Sequence, residues 1–264
     1  MRSWRMAWAA RYALSSLLLL AALSLPAQAA RQPAFEPGET VTVAAVVDGG
    51  EMILADGRHV HLAAIEAPHP AAPHIRAWPY AAEAKAALEK MVVGREVELR
   101  FAGNRRDRWG RILAQVFVGA RWVQGEMIRR GLARVASAAD NRVGVAELLA
   151  REARARQARR GIWRDRFYAV READEAGRYA GSFQIVEGEV ADTAMVEGQL
   201  FVNFGADWRT AFSLRLSPEA LRLFRREGIT PASLKGARLR VRGWVRGGER
   251  PIIDVTHPEQ IERL

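Results

Sequence analysis

Cysteine is absent from all 264 residues, which excludes a disulfide framework, a thiolate metal centre and lipid attachment at a processing site. Outside a reducing compartment such a chain is held together by packing alone. Lysine is scarce as well: Lys85, Lys90 and Lys235 are the only three, so arginine carries nearly all of the positive charge behind the formal +10. A guanidinium is a planar fork that takes phosphate oxygens in pairs. The balance fits a polyanionic partner, and equally a genome whose codon usage favours Arg and Ala.

With 49% hydrophobic and 27% charged residues, the composition is that of a globular protein, and the length suits two small domains. An apolar run over residues 12–25 follows Arg2, Arg5 and Arg11 and precedes Pro26 and Ala27-Gln28-Ala29. It is shorter than the roughly 20 residues of a spanning helix. The pattern predicts a signal peptide over residues 1–29, cut after Ala29, and so a periplasmic or extracellular protein. An uncleaved membrane anchor is the alternative. Without the three arginines of this segment the charge of +10 falls to +7 and stays basic.

Residues 30–39 carry prolines and no period, which reads as a linker ahead of a first domain over 40–165. Val41, Val43, Ala45 and Val47 alternate as in a half-buried strand, Asp48-Gly49-Gly50 turns the chain, and Asp56-Gly57 is a hairpin signal. In the strand that follows, His59 and His61 point the same way, opposite Val60 and Leu62. Residues 66–79 hold four prolines and form a rigid loop. Tyr80, Ala84, Ala87, Leu88 and Met91 mark a helix ended near Gly94; strands follow over 96–101 and 112–118, then helices over 123–130, ended by Gly131, and 147–160, ended by Gly161. Arg151, Arg154, Arg156, Arg159 and Arg160 on the last helix suit a solvated face or a phosphate-tracking surface.

Residues 166–181 mix charge with Gly177 and no apolar period, the expected boundary. From 182 to 264 the order is three strands (183–191, 199–204, 212–216), a helix (218–227) and two strands (238–246, 252–255), the order of an OB-fold. Within 238–246, Arg238, Arg240, Arg242, Trp244 and Arg246 alternate with Leu239, Val241, Gly243 and Val245. One strand face thus carries arginines for phosphates and an aromatic for base stacking, as in proteins that hold single-stranded nucleic acid, or else it is the ordinary outer face of a barrel.

Five motifs now stand in order: Val46-Val47-Asp48-Gly49, His61-Leu62-Ala63-Ala64-Ile65-Glu66-Ala67-Pro68, Pro79-Tyr80, Asp107-Arg108-Trp109-Gly110-Arg111 and Arg160-Gly161-Ile162-Trp163. In order and spacing they resemble the staphylococcal nuclease (thermonuclease) family. The resemblance implies an α+β fold, a five-stranded OB-type barrel with three helices, here followed by a second small OB-like barrel. It also implies phosphodiester hydrolysis with Ca²⁺, a water-activating glutamate and two arginines on the scissile phosphate. Arg111 matches one arginine, Glu66 a metal carboxylate, and Asp48 a residue beside the metal. Three positions depart: Gly50 stands for an aspartate, His61 for the other arginine and His69 for the base; Glu51 cannot replace the missing carboxylate, because successive strand residues point to opposite faces.

The expectation is a nucleic-acid or other polyanion binder with weak or absent hydrolysis. Its catalytic candidates are Arg111, His61 and His69, its metal candidates Glu66 and Asp48, and its strand-binding candidates Arg238, Arg240, Arg242 and Trp244. Imidazole with carboxylate suits Zn²⁺, Mn²⁺ or Fe²⁺ better than Ca²⁺, so a rewired metal-dependent nuclease is a second reading. A non-catalytic envelope interaction module is a third.

Overall fold

The computed structural model describes residues 33–248 and 250–264; the segment read as a signal peptide lies outside the described residues. Among the described residues no helix is long and apolar enough to cross a membrane.

The first half contains β1 (Glu36–Asp48), β2 (Glu51–Leu54), β3 (His59–Leu62), β4 (Ile65–Glu66), α1 (Ala81–Val92), β5 (Glu96–Phe101), β6 (Ile112–Val118), β7 (Arg121–Trp122), α2 (Val123–Arg130), β8 (Arg134–Val135) and α3 (Val145–Gln157). Strands run in the order β3-β2-β1-β5-β6, and β3 pairs back onto β6 in parallel, closing a five-stranded barrel. Alternation fills it: Met52, Leu54, Val60, Leu62, Val97 and Leu99 are all buried, while their strand neighbours face outward or into the cleft described below.

Two expectations for β1 change. The strand starts at Glu36, because Glu36 and Pro37 pair with Phe101 and Arg100 of β5. Pro37 and Gly38 read as linker, yet a register shift between Pro37 and Thr40 accommodates the proline, and a side chain at Gly38 would meet the Leu99 carbonyl at 2.4 Å. Further along, Val46 is buried and Val47 exposed, since irregularities on either side of Ala45 and Val46 reset the period of two.

α3 stops at Gln157, short of Gly161, and Arg159 takes the left-handed conformation after it, with φ of 49°. Gly161 serves a contact instead. Its φ is 52° and a Cβ there would lie 2.1 Å from the Gly131 carbonyl, while the Ile162 N–H donates to that same oxygen at 2.8 Å. Gly131 at the end of α2 and Gly161 therefore pack backbone to backbone.

The segment expected as a linker is folded. Short 3-10 turns at Arg166–Tyr168 and Ala173–Tyr179 flank β9 (Arg171–Glu172), and Tyr168, Ala173 and Ala176 are buried. Such short pieces carry no readable period. β10 (Phe183–Glu189), β11 (Asp192–Val196), β12 (Gln199–Asn203), β13 (Ser213–Leu216), α4 (Pro218–Arg226), α5 (Pro231–Leu234), β14 (Arg238–Arg246), β15 (Ile252–Val255) and β16 (Ile261–Arg263) follow. Their order is β11-β12-β13-β15-β14-β10-β9, with β13 parallel to β15. If β10 and β11 are taken as one strand that bends at Val190 and Ala191, this C-terminal half-barrel repeats the strand order and the parallel pairing of the first barrel. β11 was not anticipated; Glu197 and Gly198, both at positive φ, make the hairpin that returns it to β12.

Residues 33–264 form one compact unit, and a buried polar seam runs between its halves. Arg242 of β14 reaches Glu152 of α3 at 2.7 Å, and Glu152 accepts the Val135 N–H at 2.8 Å. Arg134 of β8 donates to the Phe183 carbonyl at 3.0 Å, and Ser137 Oγ lies 2.7 Å from His257 Nε2.

Candidate phosphodiester cleft

One end of the first barrel opens into a cleft of about 830 Å³, lined by Asp48, Glu51, His61, Glu66, His69 and Arg111 among others, with Trp109 and Trp244 at its walls. Asp48 and Glu51, on either side of the turn between β1 and β2, contribute to its lining. Asp48 Oδ1 accepts the Gly50 N–H at 2.7 Å. Gly49 allows the turn to press on α1, since a Cβ there would sit 2.7 Å from that of Ala84. At Gly50 the space is open: an added Cβ would meet Ala67, Asp48 and His61 only at 3.6–3.7 Å.

Arg111 is clamped by two acids. Its Nε donates to Asp107 Oδ2 at 2.6 Å and its Nη1 to Glu51 Oε2. Asp107 Oδ1 also accepts the N–H groups of Trp109 and Arg111, which sets the loop that carries the guanidinium. Glu51 was expected to face away from the site. It is the direct cross-strand partner of His61, so the two share a face, and Glu51 occupies the cleft wall. Burial would raise the Glu51 pKa, but hydrogen bonds from His59 and Arg111 outweigh it and hold it lowered.

His61 is largely enclosed and its Nδ1 has no hydrogen-bond partner. Burial lowers its pKa, and the charge of Arg111 adds to this against the opposing pull of Asp48 and Glu66. His69 goes the other way. Its Nε2 lies 2.6 Å from Glu66 Oε1, which raises its pKa, and its ring meets Trp78 edge to face at 4.4 Å. The cleft therefore holds one imidazole biased to neutral and one biased to cationic. His59 binds Glu51 from outside at 2.7 Å, and His74 does not line the cleft.

Sequence reasoning missed Arg134. It pairs with Glu66 across β4 and β8 and is almost wholly buried, with its guanidinium within 6 Å of the rings of Trp78, Tyr168 and Phe183. Burial pushes its pKa down to about 10. An arginine inside the apolar run 132–136 was the available signal.

The residues present do not fit Ca²⁺. Among the described residues no three His, Asp or Glu side chains converge to hold a metal ion. Glu66 is engaged by His69 and Glu51 by Arg111 and His59, and Gly50, where the resemblance implies a carboxylate, offers no side-chain oxygen. Arg108 and Arg111 are the cations of a lining that also holds Asp48, Glu51, Glu66 and Asp107.

The arginines of β14 correct another expectation. They share one face, as alternation required, but its middle is covered and its cations are paired with acids. Arg238 lies 3.7 Å from Glu172 and Glu187, and Arg240 pairs with Glu187 and Glu262. Arg242 is 1% exposed between Glu152 and Glu262. Arg238 at one end of the strand and Trp244 and Arg246 at the other are exposed, and Arg240 is half-buried.

Residues 59–165 match the family model described as staphylococcal nuclease homologue. This segment is a staphylococcal nuclease-like domain. The chain is 34% identical over 114 residues to the probable staphylococcal-like nuclease CAN1 of Oryza sativa subsp. japonica, covering 43% of this chain and 31% of that protein. It is 32% identical over 100 residues to the endonuclease YncB of Bacillus subtilis (strain 168), covering 36% and 47%. Against the thermonuclease of Staphylococcus hyicus it is 28% identical over 99 residues, covering 36% and 59%. The chain thus spans less than two thirds of each of these relatives. The family match begins at His59, after Asp48 and Gly50, while Glu66, His69 and Arg111 of the nuclease-like domain lie within it.

Proposed function

We propose that the chain binds nucleic acid or another phosphodiester in the Arg111 cleft and hydrolyses it weakly or not at all. One observation carries this reading: Arg111 is preorganised between Asp107 and Glu51, while Gly50, His61 and His69 stand where the resemblance implies the metal aspartate, the second arginine and the base. Two Asp107 contacts from the backbone and one from the guanidinium fix the phosphate donor. The nuclease names of the relatives support a phosphodiester as the ligand. Incubation of the chain with single-stranded DNA and RNA under Ca²⁺, Mn²⁺ and Zn²⁺, beside the triple variant Gly50→Asp, His61→Arg, His69→Glu, tests it. Cleavage by the triple variant alone is expected; robust Ca²⁺-dependent cleavage by the unaltered chain would overturn the reading.

A second reading, hydrolysis at a rewired site, is favoured by the contact between His69 and Glu66 and by the unpartnered Nδ1 of His61. Cleavage by the unaltered chain under Mn²⁺ or Zn²⁺, lost in His61→Ala, is its signature. Export belongs to the proposal too, resting on Arg2, Arg5 and Arg11, the apolar run 12–25 and Ala27-Gln28-Ala29. N-terminal sequencing of the periplasmic form should begin at Ala30.

A further inference from the structure

The walls of the cleft come from both halves of the molecule. Trp109, 66% exposed, rises from the nuclease-like domain with the Arg108 guanidinium 4.0 Å above its ring. Trp244, 52% exposed, reaches the same cleft from β14 of the C-terminal half-barrel. A second cavity of about 450 Å³ shares His61, Glu66 and Trp244 with the cleft and extends to Arg246. Trp244 therefore stands where the two spaces join.

Its place is fixed by its neighbours. Gly243 brings the strand against β15 so closely that a Cβ would lie 2.6 Å from Ile253. Phe183, opposite in register, supports the indole edge on at 6.4 Å and 79°. The cations before it on that face are held by Glu187, Glu262 and Glu152, and Arg246 beyond it pairs with Asp254 at 2.7 Å, so the ring is bordered by the Arg111 cleft on one side and by this ion pair on the other. A rigid indole with half its surface in water, between two guanidinium groups, is what stacks an unpaired base while phosphates are held on either side. A duplex presents no free base face to such a ring.

We propose that Trp244 is a base-stacking subsite supplied by the C-terminal half-barrel to the phosphate cleft, so that one single-stranded nucleic acid runs from Arg111 across Trp244 toward Arg246. The proposal rests on the phosphodiester reading above and names its ligand class.

The test is binding of an end-labelled oligothymidylate to the full chain at low salt, with a duplex of equal length alongside. Trp244→Ala should weaken single-strand binding about tenfold and leave duplex binding unchanged. Trp244→Phe should keep most of the affinity yet lose part of the tryptophan quenching that the oligonucleotide causes. Arg111→Gln should weaken both ligands. Absence of any binding by the unaltered chain would remove the phosphodiester reading and this proposal together. Binding that falls with Arg111→Gln but not with Trp244→Ala would overturn this proposal alone, as would unchanged quenching in Trp244→Phe, a variant that retains an aromatic ring against Phe183 and so tests stacking without disturbing the fold.

Discussion

The guanidinium of Arg242 lies 2.7 Å from the carboxylate of Glu152, with both side chains at most 2% exposed. Arg242 also donates to the Val135 carbonyl at 3.2 Å and to Glu262. Burial alone would push this guanidinium's pKa down, but Glu152 and Glu262 outweigh it and the net direction is up. One arginine of β14 thus joins α3, β8 and β16. Removing a single partner leaves an uncompensated buried charge, so Arg242→Ala and Glu152→Ala should each cost roughly 3–5 kcal/mol in urea denaturation. The pair Arg242→Met with Glu152→Leu should cost clearly less than the two single losses added together.

His257 predicts the acid limb of stability. It is fully buried between Ser137 and Thr256, and burial lowers its pKa to about 4 against an unfolded value of about 6.5. The unfolded chain binds the extra proton first as pH falls. The contribution is complete above about pH 6.5 and is lost on the way down to about pH 4, amounting to roughly 3 kcal/mol. His257→Gln should flatten the stability profile across that window, read as midpoint of denaturation against pH.

Gly50→Asp alone should be tolerated by the fold, because the added Cβ meets nothing closer than 3.6 Å. The carboxylate it adds stands beside Asp48, in the cleft that Glu66 also lines, so Ca²⁺ should raise the thermal midpoint of this variant more than that of the unaltered chain. Equal shifts in both proteins would mean that Gly50 is not what weakens the calcium site.

Gly131 and Gly161 bear on the seam between α2 and the end of α3. Cβ atoms there would lie 2.2 and 2.1 Å from carbonyl oxygens, at φ of 69° and 52°. Alanine at either position should destabilise by more than about 2 kcal/mol. Gly57→Ala, also at positive φ but with open space around it, should cost less, which separates backbone strain from collision.

Local rules carried most of the first barrel. β5, β6 and α2 fall at the bounds that alternation, helical spacing and Gly131 implied, and the five motifs brought Asp48, His61, Glu66, His69 and Arg111 to one cleft. What escaped depends on partners distant in the chain. Pro37-Gly38 reads as a linker until β5 is placed beside it. Arg240 and Arg242 read as part of a solvent face because nothing local announces that α3 and β16 pack over them. Glu51 was misplaced for a related reason: its direction is set by pairing with His61, not by its step from Gly50.

The seam has a further consequence for how this protein can be divided. The family match stops at residue 165, which invites a shortened form ending there. Such a form would keep Glu152 and Arg134 but lose Arg242, Phe183 and His257, exposing two ionised groups and the apolar cluster that Ile185 covers in the full chain. A form ending there should therefore unfold at lower urea than the full chain, because the half-barrel supplies the partners of its buried charges.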